Sequence, residues 1–247
     1  TRHSIKLLNH FEIKTPMTSY HEHNKKEKAV YLVNKLIEGT NIALITDAGT
    51  PGISDPGEEL VRCAYESGIE VTSLPGAAAC ITGLTLSGLS TRRFAFEAFL
   101  PSDKKEKQAI LEELKTETRT MILYEAPHRL VKTLQELESA LGERKLTILR
   151  ELTKKYETVF QTTLPEAIRY YGEHSPKGEY VLVIEGRTHL ELKEELQEQW
   201  KEITVSEHMQ RYLDQGMAKK EAMKVVATDR GTTKREIYQH LLNVSED

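Results

Sequence analysis

The amino-acid sequence predicts an α/β fold built in two parts, with a small all-helical domain behind them. Three observations carry this reading. Short runs that are apolar at every position, such as residues 42–45 (IALI), read as strands covered on both faces, because a half-exposed strand would alternate. Such runs end in Gly/Pro corners and lead into helix-spaced apolar residues, the strand, turn, helix order of parallel strands joined by right-handed crossovers. Beyond residue 190 only the helical period remains. The expected parts are residues 1–91, 92–189 and 190–247.

Each element follows from local chemistry. Lys25–Ile37 carries Ala29, Val33, Leu36 and Ile37 at helical spacing and stops at Gly39. "NIALIT" (41–46) is the first expected strand, and "TDAGTPGISDPG" (46–57) is its corner. Residues 58–67 form a short helix with Leu60, Val61 and Ala64 inward, stopped by Gly68. Residues 70–74 are the next expected strand, which ends in a second corner at Pro75 and Gly76 before the small-residue helix "AAACITGLTLSG". Both corners are expected at the carboxyl edge of a parallel sheet, where open α/β folds bind ligands. The alternating "RRFAFEAFLP" restarts the pattern and marks a junction. A helix from "SDKKEKQ", a strand at 120–124, a helix at 127–141 closed by Gly142, a strand at 146–150, "ETVFQTT", a helix at 164–171 and the strand "EYVLVIEG" follow. "ELKEELQEQWKE" suits a solvated helical linker. Three short helices, separated by Gly216 and Gly231, end the chain.

Composition limits the class of function. With 247 residues, 38% hydrophobic and 29% charged, the chain suits one large or two small domains of a soluble globular protein. No apolar run approaches the ~20 residues a membrane helix needs. The two cysteines, Cys63 and Cys80, read as free thiols of a reducing cytoplasm, so the expected location is cytoplasmic. A net charge of −4 excludes a polycation, and nucleic-acid contact must come from a local patch. Between Gly216 and His240 six Lys and Arg face three carboxylates, a basic helical triplet that resembles a helix-turn-helix.

Three loops carry chemistry. In the first corner, glycines let backbone approach a ligand, while Pro51, Pro56 and Pro75 stiffen the two corners in advance. Gly49, Gly52 and Gly57 do not match G-x-G-x-x-G, and no P-loop Lys follows, so a pyrophosphate cradle is not expected. One such corner would be read as a chain reversal, but two on consecutive strands point to a pocket. In "YEAPHR" Tyr124 can cover a flat heterocycle and Arg129 can hold a phosphate. The plainer alternative is that Pro127 opens a helix with Glu125 at its positive end. In "RELTKKYE" a Lys beside a carboxylate, Lys154 with Glu151, can serve proton transfer or stabilise negative charge. His21 and His23 lack the companions of a zinc site, and no metal is expected.

"TDAGTPGISDPG", "LPGAAACITGL", "YEAPHR", "RELTK" and "KGEYVLVIEG" occur in this order. Together they resemble the bacterial small-subunit ribosomal RNA ribose 2′-O-methyltransferases of the tetrapyrrole methylase fold. The resemblance runs from Thr1 into the helical tail. It implies two α/β domains that clasp S-adenosylmethionine, transfer of its methyl group to the 2′-hydroxyl of a cytidine in the decoding region, and a homodimer. Asp47, Gly49, Thr50, Ile53 and Thr82 are then expected at the cofactor, with Tyr124 and Leu152 closing over it. Lys219, Lys220, Lys234 and Arg235 are expected on RNA phosphates, with Arg129 as a further contact. The expected partner is small-subunit ribosomal RNA, within the assembled subunit. The family begins with an apolar strand and a Pro-x-Gly-Asn loop ahead of "TRH", whereas this sequence starts at that Thr1, so it is expected to begin inside a longer protein.

A ribose hydroxyl is a poor nucleophile, and Lys154 and Glu151, with His128 in reserve, are the candidates to activate it. Two rivals remain: a methyltransferase of the same fold acting on a corrin or porphyrin precursor, and a ligand-responsive helix-turn-helix regulator of DNA.

Overall fold

Backbone amides and carbonyls taken out of water need partners. Among the described residues, the strands that find them all lie between Phe94 and Ile184. The computed structural model describes residues 4–243. Helices α1 (Ser4–His10), α2 (Lys25–Ile37), α3 (Glu58–Glu66) and α4 (Ala79–Leu86) precede strand β1 (Phe94–Ala98). Helix α5 (Lys104–Leu114), strand β2 (Thr120–Glu125), helix α6 (Leu130–Leu141) and strands β3 (Lys145–Arg150) and β4 (Thr158–Thr163) follow. Helix α7 (Leu164–Glu173) and strand β5 (Tyr180–Ile184) lead to helices α8 (His189–Gln199), α9 (Val205–Asp214), α10 (Lys219–Asp229) and α11 (Lys234–Asn243).

The five strands form one mixed sheet in the order β1-β2-β5-β3-β4. Only β1 and β2 run parallel, joined through α5; the other neighbours are antiparallel. The chain divides into two units. One holds the described residues up to Gln108 together with Thr120–Glu185; the other holds Ala109–Arg119 and the residues from Gly186 onward.

In the first unit, α4 lies on the sheet and rests Cys80 and Leu84 on Ile122, Leu149, Val181 and Val183. Its small residues permit the approach: a Cβ on Gly83 would come within 2.9 Å of Val181 Cγ1. Three side chains tie the segment after α4 to the strands. Thr147 Oγ1 and Gln161 Nε2 donate to the Ser87 carbonyl at 2.9 and 3.1 Å, and Thr120 Oγ1 donates to the Ser90 carbonyl at 2.7 Å. Nearer the start, α2 and α3 close a smaller core of Ala29, Leu32, Val33 and Leu60.

Two expected strands are corrected. Residues 41–46 and 70–74 run without ladder bonds, so the parallel strands expected in the first part do not form. An apolar run records a tendency to be covered, whereas a strand needs a neighbour to exchange hydrogen bonds with. Neither segment has one among the described residues, and Ile45 and Leu74 stay 50% and 82% exposed.

In the second unit, α9, α10 and α11 pack Met209, Ala222, Met223, Val226, Ala227 and Ile237 together. Thr188 and Thr204 open α8 and α9 with capping boxes closed by Glu191 and Glu207. No described helix is long and apolar enough to cross a membrane.

Candidate active site

The two Gly/Pro corners meet. The Thr50 amide donates to the Ala77 carbonyl at 2.9 Å, and its hydroxyl reaches the same oxygen at 3.2 Å. Glycine makes the contact possible on both sides. Gly49 has φ +71° and an added Cβ would sit 3.0 Å from the Ala77 carbonyl oxygen; a Cβ on Gly76 would sit 2.9 Å from Thr50 Oγ1. Across the longer loop, Thr46 Oγ1 donates to Asp55 Oδ2 at 2.9 Å.

From Ala77 the chain enters α4. Thr82 Oγ1 donates to the Ala78 carbonyl at 3.2 Å, and the Cys80 amide donates to the Tyr124 hydroxyl at 2.8 Å. Tyr124 and Leu152 both pack on the cluster of Cys80 and Leu84, and the rings of Phe96 and Phe99 meet Tyr124 edge to face at 5.0 and 5.8 Å. Burial, and then the Cys80 contact, push the Tyr124 hydroxyl well above its ordinary range, so it stays protonated. Gly49, Thr50, Thr82, Tyr124 and Leu152 are thus linked in succession through residues 77–80. Asp47 and Ile53 flank this group on separate clefts of about 340 and 420 Å³. Residue types give no sign of the Ala77 carbonyl or the Cys80 amide, since backbone contacts leave no such signal. Phe96 and Phe99 read in the sequence only as part of a strand.

After β3 the chain turns through two non-glycine residues in the left-handed region, Glu151 (φ +52°) and Thr153 (φ +64°). Such backbone costs about 1–3 kcal/mol per residue and needs compensation. The Glu151 amide donates to the Glu179 carbonyl at 2.9 Å, and Glu151 Oε1 accepts from the Glu179 amide at 2.9 Å. Lys154 Nζ then bridges Glu151 Oε1 at 3.0 Å and Glu179 Oε2 at 2.7 Å. Its hydrogen bonds to Glu179 and Glu151 hold the ammonium above its ordinary range. The Glu179 amide, and then Lys154, hold the Glu151 carboxyl below its own. Lys154 is therefore a cation and Glu151 an anion at neutral pH, which suits the stabilisation of negative charge better than proton abstraction by a neutral amine. Glu179, within "KGEY", lies 25 residues from Lys154, and its residue type alone gives no sign of the contact.

"YEAPHR" divides in two. Glu125 is 1% exposed and turned inward, accepting from the Ala126 amide at 2.8 Å and from Thr133 Oγ1 at 2.5 Å. The inward turn of Glu125 agrees with a structural role, but the helix expected to open at Pro127 begins at Leu130, and Pro127 lies in the turn before it. Arg129 donates to the Leu100 carbonyl at 2.6 Å and lies 3.4 Å from Glu125 Oε1, so much of its guanidinium is engaged internally. His128 is exposed in the turn before α6.

In the second unit, Lys219 and Lys220 occupy the first turn of α10, and Lys234 and Arg235 the first turn of α11, all exposed. Arg230, counted among the tail's cations in the sequence, is directed inward. It donates Nε to His208 Nδ1 at 3.1 Å and Nη2 to the Ile203 and Thr204 carbonyls at 2.6 and 3.0 Å. Asp229 also faces inward, toward the Tyr212 hydroxyl at 2.6 Å. The charge balance survives, because one cation and one carboxylate drop out together.

Comparison with known proteins matches this arrangement to a family. The profile described as Tetrapyrrole (Corrin/Porphyrin) Methylases matches residues 2–168. A Halalkalibacterium halodurans protein named Ribosomal RNA small subunit methyltransferase I is 48% identical over 96% of this chain and 82% of its own length. Proteins of the same name from Synechocystis and Bacillus subtilis are 46% and 45% identical over 100% and 96% of this chain, and 87% and 81% of their own. The crystal structure of the methyltransferase CobJ shares the fold, with a TM-score of 0.50 at 21% identity, over 68% of this chain and 73% of that one. That of a diphthine synthase gives 0.54 at 14% identity, over 75% of each. With the profile spanning most of the mixed sheet and the helices before it, this chain belongs to the tetrapyrrole (corrin/porphyrin) methylase family.

Proposed function

We propose that this protein is an S-adenosylmethionine-dependent methyltransferase that methylates the ribose 2′-hydroxyl of a cytidine in the decoding region of small-subunit ribosomal RNA. One observation carries the reading: identity of 45–48% to proteins named for methylating that subunit's RNA extends over 96% or more of the chain, the helical tail included. A corrin or porphyrin precursor as substrate lacks this support, because the likeness to CobJ is one of fold alone. A DNA regulator leaves the Glu151–Lys154–Glu179 group without a use.

The group from Gly49 to Leu152 fits the cofactor. Its two corners pack directly on one another through Gly49 and Gly76, which fixes their backbone groups in place, and its flank is apolar and aromatic, as an adenosine requires. Asp47, Gly49, Thr50, Ile53, Thr82, Tyr124 and Leu152 are the assigned residues. When bound, S-adenosylmethionine supplies an electrophilic methyl group. Lys154 offers positive charge to the ribose oxygen as the hydroxyl proton passes to the ionised Glu151 carboxylate, and Glu179 helps to fix the ammonium in place. His128 stands as an alternative proton acceptor. Lys219, Lys220, Lys234 and Arg235 hold RNA phosphates, and Arg129 adds a contact through whatever donors its internal bonds leave. Residues 1–91 and 92–189 form the methylase body and 190–247 the RNA-binding tail. The protein acts in the cytoplasm as a homodimer, on the assembled small subunit.

Methyl transfer from labelled S-adenosylmethionine, offered unmethylated small subunits, duplex DNA and porphyrin precursors in parallel, tests this. Labelling of the subunits alone supports it; labelling of either alternative refutes it.

A further inference from the structure

The cleft of about 420 Å³ lined by Lys25, Ile53, Pro56, Glu58 and Phe99 has a size suited to a small organic group. Its position relative to the cofactor residues is informative. Ile53 lines it and Tyr124 backs Phe99, yet Gly49, Thr50 and Thr82 do not line it. A second substrate needs such a place, beside the first and outside it. We propose that this cleft receives the nucleobase of the nucleotide to be methylated, with Phe99 as its stacking platform; the inference rests on the ribosomal RNA reading above.

The backbone is bent to present that ring. In a regular strand alternate side chains share a face, so Phe96 and Phe99 would point to opposite sides. The β1–β2 register slips between Phe96 and Ala98, and Ala98 takes φ +52°, a left-handed conformation unusual for alanine. Phe99 is thereby brought back to the Tyr124 ring that Phe96 also touches. Even so, it remains 46% exposed, and among the described residues it lies face to face with no other ring. A bulge of this kind re-aims a side chain, and an exposed aromatic at a cleft mouth gives a base taken out of its helix a surface to stack on.

The polar lining suits cytosine. Lys25 is paired with Glu22 at 2.5 Å, Asp55 accepts from Thr46 and Glu59 is paired with Arg62 at 2.7 Å. Glu58, exposed at the start of α3, has no ion-pair or hydrogen-bond partner among the described residues. A carboxylate accepts from the exocyclic amino group of cytosine, whereas uracil presents a carbonyl in its place.

The test uses the whole chain with Phe99→Ala, Phe99→Leu, Phe99→Trp and Glu58→Gln, measuring KM and kcat on unmethylated small subunits, and S-adenosylmethionine affinity separately by calorimetry. Phe99→Ala is expected to raise KM for subunits about ten- to a hundredfold, Phe99→Leu less, and Phe99→Trp to stay near wild type, with cofactor affinity held within about twofold. Glu58→Gln, which keeps an acceptor and loses the charge, is expected to raise KM less than Phe99→Ala. Unchanged KM in Phe99→Ala and Phe99→Leu, or a parallel loss of cofactor affinity, overturns the subsite while leaving the ribosomal RNA reading intact. Absence of transfer to subunits by the wild type overturns both.

Discussion

The Cys80 amide donates to the Tyr124 hydroxyl at 2.8 Å, joining the first turn of α4 to the end of β2 across 44 residues of sequence. This bond satisfies one of the amides that a helix leaves unpaired at its start. Tyr124→Phe keeps the ring among Phe96 and Phe99 but strands that buried amide. The expected cost is about 1–3 kcal/mol of stability, together with weaker cofactor binding, measured by urea unfolding and calorimetry. A variant as stable as the wild type with unchanged affinity would show that the bond supports neither.

Lys154 is held protonated by two carboxylates, and its expected contribution is charge. Lys154→Met should lower kcat by about 10²–10³ while KM and cofactor affinity change little, and Lys154→Arg should recover part of the rate. Single-turnover methylation measures this.

The same group sets a pH window. Glu151 is depressed, so its stabilisation is present above the ordinary carboxylate range and lost as pH falls through its folded value. Lys154 is raised, so its share is present below the ordinary ammonium range and lost as pH rises through its folded value. Wild-type stability from this cluster should be flat between about pH 5 and 10, and Lys154→Met should lower that plateau while making the fall on the acid and alkaline limbs shallower. Denaturation midpoints across pH check it.

His208 is 0% exposed, stacks on Trp200 at 3.7 Å and accepts from Arg230 at its Nδ1. Burial first, and the Arg230 charge next, hold its pKa below the ordinary value. The unfolded chain therefore binds the proton more readily, and the tail loses stability as pH falls below about 6.5. Trp200 is the sequence's one tryptophan, so its fluorescence reports on this cluster. Its thermal midpoint should be lower at pH 5.5 than at pH 7.5. His208→Asn, which retains an acceptor for Arg230, should flatten that difference.

Replacing Lys219, Lys220, Lys234 and Arg235 together by Ala should weaken RNA binding and reduce its salt slope by about 0.7–0.9 for each phosphate no longer neutralised. All four are exposed at helix starts, so the unfolding temperature should change little. Titrations at several salt concentrations distinguish this from unfolding of the tail.

What the sequence made legible was mostly local. The period of Ala29, Val33 and Leu36 marks α2, and the apolar run within "EYVLVIEG" marks β5, buried along its whole length. The same logic failed at "NIALIT", because being apolar is a property of a segment while being a strand is a property of a pair. Lys154 and Glu151 were visible as neighbours, but Glu179 joins them through left-handed backbone at Glu151 that residue types do not announce. Arg230 looked like a surface cation because its partner His208 lies 22 residues away. Phe99 was hidden in an alternating strand, since the bulge that re-aims it depends on pairing with β2.

Ribose methylation of small-subunit RNA meets its sharpest test when the whole chain is incubated with subunits from a methylation-deficient strain and methyl-labelled S-adenosylmethionine, and the RNA is then digested to nucleosides for mass spectrometry. Label is expected in a single 2′-O-methylated cytidine, and is expected to be absent with Lys154→Met at matched times. Label on a base, on another nucleoside, or on none of the RNA would contradict the assignment.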